Sequence, residues 1–185
     1  IYPIRDHYYE PSFNHKKHLV HSLRLERNLP GIDINEAGQL DWLGQFKYAT
    51  ELTKIPLDAN ANSTFYYRNP NFAEGDAECL YSMIRLKKPN LIIEIGSGFS
   101  TMMARLAIDK NKKDNLHYNC RHICIEPFEM SWLDKAGDIE VLRQRVEDLD
   151  ISMFSMLNEN DILFIDSSHI IRPQGDVLTE CLGIL

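Results

Sequence analysis

Four short stretches of this sequence carry side chains able to do chemistry, and each follows an apolar run. Glu94-Ile95-Gly96-Ser97-Gly98-Phe99-Ser100-Thr101 follows Leu91-Ile92-Ile93, and Glu126 follows Ile123-Cys124-Ile125. Glu147 and Asp148 come after the run Ile139 to Leu142, and Asp166-Ser167-Ser168-His169 after Ile162 to Ile165. Glycines at 96 and 98 let the backbone turn sharply and approach a ligand, and the N–H groups of a following helix point into the same space. Thr101 stands where the dinucleotide fingerprint requires its third glycine. Gly98 also lies 28 positions before Glu126, where about 20 is usual between glycine and ribose-binding acid. An acid two positions before the first glycine suits a ligand with a cationic group better than a pyrophosphate, so Glu94 points to an amino-acid-like or sulfonium ligand. Glu126 can accept hydrogen bonds from two ribose hydroxyls. Histidine titrates near neutrality, which makes His169, three residues after Asp166, a candidate general base.

The elements that must position these residues alternate. Asp76 is expected to cap a helix with Ala77, Leu80, Tyr81 and Ile84 on one face, ending before Pro89. The short apolar runs before each chemical stretch read as strands buried on both faces of a parallel sheet. Helices are expected over Ser100 to Ile108, around Trp132 and Leu133, and over Ile151 to Leu157 with Ile151, Phe154 and Leu157 inward. A last amphipathic helix carries Leu178, Cys181, Leu182 and Leu185, and Lys110 to Asn119 reads as a polar loop. Four strand–helix alternations predict an α/β, doubly wound, mainly parallel sheet, whose ligands sit beyond the strands' carboxyl ends. Residues 1–70 have a different texture, rich in Tyr, His, Asn and Pro. They read as a helical extension, with one helix from Asn35-Glu36 through Leu40, Leu43, Phe46, Ala49 and Leu52 and a weaker one over Asn14 to Arg27. Residues 71–185 read as the ligand-binding domain.

The stretch Glu94 to Thr101 resembles the E/D-x-G-x-G-x-G loop of class I S-adenosylmethionine-dependent methyltransferases, with Ser100 in place of the third glycine. Phe65 to Pro89, the EIGSGFST loop, the DSSH sequence and the Tyr-rich start Tyr2 to Pro11 are similar to a bacterial branch acting on small molecules and sugars. The resemblance implies S-adenosyl-L-methionine as cofactor, held by Glu94, Gly96, Ser97, Gly98, Ser100, Thr101 and Glu126. It puts Glu147 and Asp148 near the adenine and Asp166 near the transferred methyl. It also implies a small-molecule acceptor, with Tyr8, Tyr9, Tyr66, Tyr67 and Arg68 as lid or pocket residues. Asp166 is the position where catechol-type relatives hold a divalent cation, whose further ligands follow a fifth strand, so metal dependence stays open. A nicotinamide-dependent oxidoreductase and a non-catalytic nucleoside-binding module are the alternatives. The family sheet has seven strands, whereas 92 residues run from Glu94 to Leu185. The expectation is therefore a Rossmann-like sheet cut short after its fourth core strand, in the order 3-2-1-4, with an exposed apolar edge beside strand four.

Composition narrows the partners. Twenty Lys and Arg against 27 Asp and Glu give a net charge of -7, which disfavours nucleic acid and anionic membranes. No run approaches the roughly 20 apolar residues that span a bilayer, and a cytoplasmic location is expected. Cys79, Cys120, Cys124 and Cys181 are too scattered for a disulfide framework. His117, Cys120, His122 and Cys124 lack zinc-finger spacing and read as structural, and His15, His18 and His21 as surface histidines.

Overall fold

The computed structural model describes residues 21–22, 24–25, 33–61, 63–128, 132–133 and 136–185. The chain divides into two compact units, Ile1–Gly38 and Gln39–Leu185. The weaker helix expected over Asn14 to Arg27, like Tyr8, Tyr9, His15 and His18, lies outside the described residues or nearly so, and His21 is exposed.

The sheet has four strands, β1 (Leu91–Ile95), β2 (Arg121–Ile125), β3 (Glu140–Leu142) and β4 (Ile162–Ile165). They pair in parallel in the order β3-β2-β1-β4, the order expected. The central strand β1 is buried at every position, whereas all four residues of the edge strand β4 are half-buried. Strand geometry sends alternate side chains to opposite faces. Ile92 and Glu94 face one layer, with Met103, Ala104, Ala107 and Ile108; Leu91, Ile93 and Ile95 face the other, with Val146 and Phe154.

Among the described residues four helices precede or flank β1: α1 (Glu36–Gln45), α2 (Ala49–Leu52), α3 (Asp76–Lys87) and α4 (Phe99–Asp114). The single helix expected from Glu36 to Leu52 is broken at Phe46 to Tyr48. Leu40 and Leu43 are exposed, and it is Tyr48, Leu52 and Ile55 that pack on the core. The α3 helix buries Ala77, Leu80, Tyr81 and Ile84 as expected, but its N-cap is Gly75 and not Asp76. There the Glu78 carboxylate accepts a hydrogen bond from the Gly75 amide at 2.5 Å, closing the helix start. Helix α4 continues to Asp114, so Lys110 to Asp114 is helix and not loop. Lys113 and Asp114 are exposed while Asn111 is buried, and Lys110–Asp114 and Arg105–Asp109 ion pairs one turn apart tie the outer face.

Arg85 and Asn111 are buried between α3 and α4. Arg85 Nε and Nη2 donate to Glu51 of α2 at 2.8 and 3.0 Å, and Nη2 to Asp114 at 2.6 Å. Arg85 also donates to Asn111, whose Nδ2 reaches the Ile84 carbonyl at 2.9 Å. The Arg85 guanidinium holds the Glu51 carboxyl below its usual range.

On the other layer the segments are tighter. Ile151–Met156 is a 3₁₀ helix with Phe154 inward, Leu157 half-buried and Ile151 exposed. At the expected helix around Trp132 and Leu133 the described residues show a turn at Trp132 and a 3₁₀ position at buried Leu133, whose carbonyl accepts from the Ala136 amide at 3.0 Å. The last helix is α5 (Asp176–Thr179), continued by a π turn over Glu180–Ile184. The wider turn rotates the face, so Glu180 is buried while Cys181, Leu182 and Leu185 are exposed. No helix among the described residues is long and apolar enough to cross a membrane.

Candidate active site

A cavity of about 330 Å³ lies beyond the carboxyl ends of the strands. It opens between the parallel strands β1 and β4, where the strand order reverses, the position at which open α/β sheets bind ligands. Its walls come from each strand end in turn: Ile95-Gly96-Ser97, Ile125 to Phe128, Arg145-Val146-Glu147 and Asp166-Ser167-Ser168, closed by Arg172 and Asp176. The volume falls within the range of small-molecule sites.

Gly96 is where the end of central strand β1 meets the end of edge strand β4. Its φ is +83°, and a Cβ there would sit 2.0 Å from the Asp166 carbonyl oxygen. The ladder continues past the strands around it, Gly96 N donating to Ile125 O at 3.0 Å and Asp166 N to Ile95 O at 2.9 Å. Gly98 differs. Its backbone is extended, with φ -173°, and a Cβ would meet nothing within 4 Å, so the second glycine is not forced by sterics. Gly98 caps α4, and its amide donates to Thr101 Oγ1 at 3.1 Å.

Glu126 sits at the end of β2, where its carboxylate accepts from the Ser97 amide at 3.2 Å and the Phe128 amide at 2.9 Å. Each oxygen keeps a second lone pair for a ligand hydroxyl. The Ser97 hydroxyl is buried and has no hydrogen-bond partner.

Glu94 corrects its expected orientation. It is only 1% exposed and does not line the cavity, because strand alternation turns it toward α4. There it accepts from Ser100 Oγ at 2.6 Å, lies 3.0 Å from His122 Nε2 and accepts from Cys124 Sγ at 3.5 Å. Burial, with the Glu94 charge beside it, pushes the Cys124 thiol up and keeps it protonated. Glu94, His122 and Cys124 are the one grouping of three metal-capable side chains among the described residues. His122 Nδ1 has no partner. Metal-bound histidines donate their other ring N–H to a second group, so the trio reads as a hydrogen-bonded lock on the start of α4.

Ser100, Thr101 and Asp148 also stand outside the cavity lining. Ser100 is bound to Glu94 and Thr101 to the Gly98 amide, while Asp148 takes a two-point hydrogen bond from Arg145 at 2.8 and 3.1 Å. Glu147 does line it, held by Arg172 Nη2 at 2.9 Å. Tyr66, Tyr67 and Arg68 do not: Tyr67 is core, Tyr66 stacks edge-on against Phe99, and Arg68 pairs with exposed Asp58.

His169 follows the lining residues Asp166 to Ser168 without being one of them, and its Nε2 lies 2.9 Å from Asp166 Oδ1. A carboxylate can only accept, so this nitrogen carries the proton and Nδ1 is left with its lone pair. The imidazole is 76% exposed and the residue has a left-handed φ of +58°.

The comparisons with known proteins bear on this cleft. A family profile described as a methyltransferase domain matches residues 93–185, from β1 through the end of the chain. The chain belongs to the methyltransferase-domain family. Among curated proteins, an uncharacterized protein of Archaeoglobus fulgidus is 32% identical over 169 residues, which cover 84% of this chain and 74% of that one. No solved structure matches. The methyltransferase domain thus begins at the strand that carries the glycine turn, and the cavity lies wholly within the matched span. Several lining residues escape sequence reading. Arg145, Arg172 and Asp176 reach the cavity from coil or a helix start, where no periodicity marks an inward side chain.

Proposed function

We propose that the protein is an S-adenosylmethionine-dependent methyltransferase acting on a small-molecule acceptor. The observation that carries this reading is the charge of the cavity. Glu126, Glu147, Asp166 and Asp176 line it against Arg145 and Arg172, so the site favours a cation over the pyrophosphate of a dinucleotide. The orphaned Ser97 hydroxyl and the spare lone pairs of Glu126 offer polar partners to a nucleoside, and Phe128 and Val146 offer apolar walls. S-adenosylmethionine would supply an electrophilic methyl on a sulfonium. The chain's share of the work is to align the acceptor and exclude water. With a hydroxyl acceptor, that methyl would pass to the oxygen as the sulfonium left as a neutral thioether, and the oxygen would have to give up its proton. Nδ1 of His169 takes the hydroxyl proton, while Asp166 fixes the tautomer and balances the imidazolium.

Calorimetric titration tests the reading. Saturable binding of S-adenosylmethionine and S-adenosylhomocysteine with no response to NAD is expected. Tight NAD binding with neither of the other two would overturn it in favour of a nicotinamide enzyme.

A further inference from the structure

The loop that ends β4 is held from behind by two acids, Asp176, which also lines the cavity, and Glu180, which does not. Asp176 and Glu180 lie four residues apart at the start of α5 and its π turn, and both are buried, at 8% and 3% exposure. Asp176 takes the Ser168 amide on Oδ2 at 2.9 Å and the Ser168 hydroxyl on Oδ1 at 2.8 Å. Glu180 Oε2 takes the Ser167 hydroxyl at 2.9 Å. Both serines between Asp166 and His169 are therefore clamped to one helix face.

The clamp has a physical purpose in the backbone that follows. His169 holds a left-handed φ of +58°, a strained conformation for a non-glycine residue that persists only where its surroundings over-determine it. The residue before it is fixed at two atoms by Asp176, and the Ser168 hydroxyl in turn accepts from the Ile170 amide at 3.2 Å. On the far side, Asp166 is fixed by its amide bond to Ile95 and by its close approach to Gly96. The strained turn thus has an anchor at each end, and it returns the His169 ring to Asp166. Asp176 keeps its charge: burial would raise its pKa, but the Ser168 hydroxyl and amide outweigh that and hold it below the usual value. A permanent carboxylate with two acceptor oxygens matches a neighbour that presents two donors.

We infer that Asp176 and Glu180 are positioning residues, which hold Ser168 and Ser167 so that the backbone turn at His169 brings its imidazole onto Asp166. The inference rests on the reading of His169 as the proton acceptor. It is tested without any acceptor or cofactor, by ¹⁵N-histidine NMR of the full chain, with His169 assigned from a His169→Gln variant. In Asp166→Asn the His169 ring resonances are expected to move, which defines the unpaired position. Asp176→Ala, Ser168→Ala and Glu180→Ala are expected to move them the same way, by half or more of that shift. Glu180→Gln, which still offers Ser167 an oxygen, is expected to keep the original position. His117, exposed on another part of the surface, serves as the unmoved reference. His169 resonances unchanged in Ser168→Ala and Glu180→Ala would overturn the inference, even if Asp176→Ala fails to fold. S-adenosylhomocysteine titration of the unmodified protein separates the two levels. If it does not bind while His169 moves as expected, the methyltransferase reading fails and the positioning holds. If it binds while His169 stays put, the positioning fails alone.

Discussion

At Gly96 a single missing carbon lets two strand ends touch. A Cβ would overlap the Asp166 carbonyl, at 2.0 Å, on a backbone already at φ +83°. Gly96→Ala is therefore expected to lose roughly 2 kcal/mol or more of stability, through the left-handed strain and the forced parting of β1 and β4. S-adenosylhomocysteine affinity should fall with it. Gly98→Ser is expected to be neutral or slightly stabilising, since serine suits a helix N-cap and the site is open; thermal unfolding of the two variants checks the contrast. Glu180 makes a second, pH-dependent case. Burial raises its carboxyl pKa, opposed by the Ser167 hydroxyl and assisted by the charges of Asp176 and Glu147. The folded state thus keeps its proton to higher pH than the unfolded chain, and stability is lost as pH rises from the ordinary 4.5 through the raised value. Glu180→Gln should melt higher than the unmodified protein at neutral pH. The gain should shrink as pH falls and vanish below about 4.5.

At the scale of elements, Arg85 joins α2, α3 and α4 through Glu51 and Asp114. Its side chain is 6% exposed, so removing it leaves the Asn111 oxygen without its donor and the Glu51 carboxylate with the Tyr81 hydroxyl but no balancing charge from Arg85. Arg85→Ala is expected to cost about 3–5 kcal/mol, measured by urea unfolding, with the midpoint lowered and no change at the His169 resonances. The elements also explain how much could be read in advance. Strands β1, β2 and β4 were legible because each is a continuous apolar run between punctuating residues, and their parallel order followed from the alternation with helices. Helix α4 outruns the expected Ser100 to Ile108 because Lys110 to Asp114 is polar all along, with Lys113 and Asp114 on the solvent side and Asn111 buried against Arg85 and Ile84. The reversed face of the last helix was invisible because a π turn adds a residue to the period just where Glu180 begins it. In the site, the strand-end acids Glu126, Glu147 and Asp166 were legible from their position after apolar runs. Glu94 fits the same rule but faces the other layer, since it is the last-but-one residue of β1, and Ile95 turns toward the layer opposite.

Over the whole molecule, the site is an assembly of strand ends, and the order in which strands can meet sets when it exists. The β1–β2 register pairs Ile95 with Ile125, thirty residues on, and the β1–β4 register pairs Ile95 with Ile165, seventy residues on. Closing the longer loop carries the greater entropic cost before its contacts form. The glycine turn and Glu126 can therefore come together in a chain whose last strand is still free, while the Asp166–His169 wall arrives only with β4. A ligand spanning both walls binds none of the earlier states well. Ligand binding in a refolding chain would then mark the final strand pairing, and the cavity doubles as a clock for the completion of the sheet.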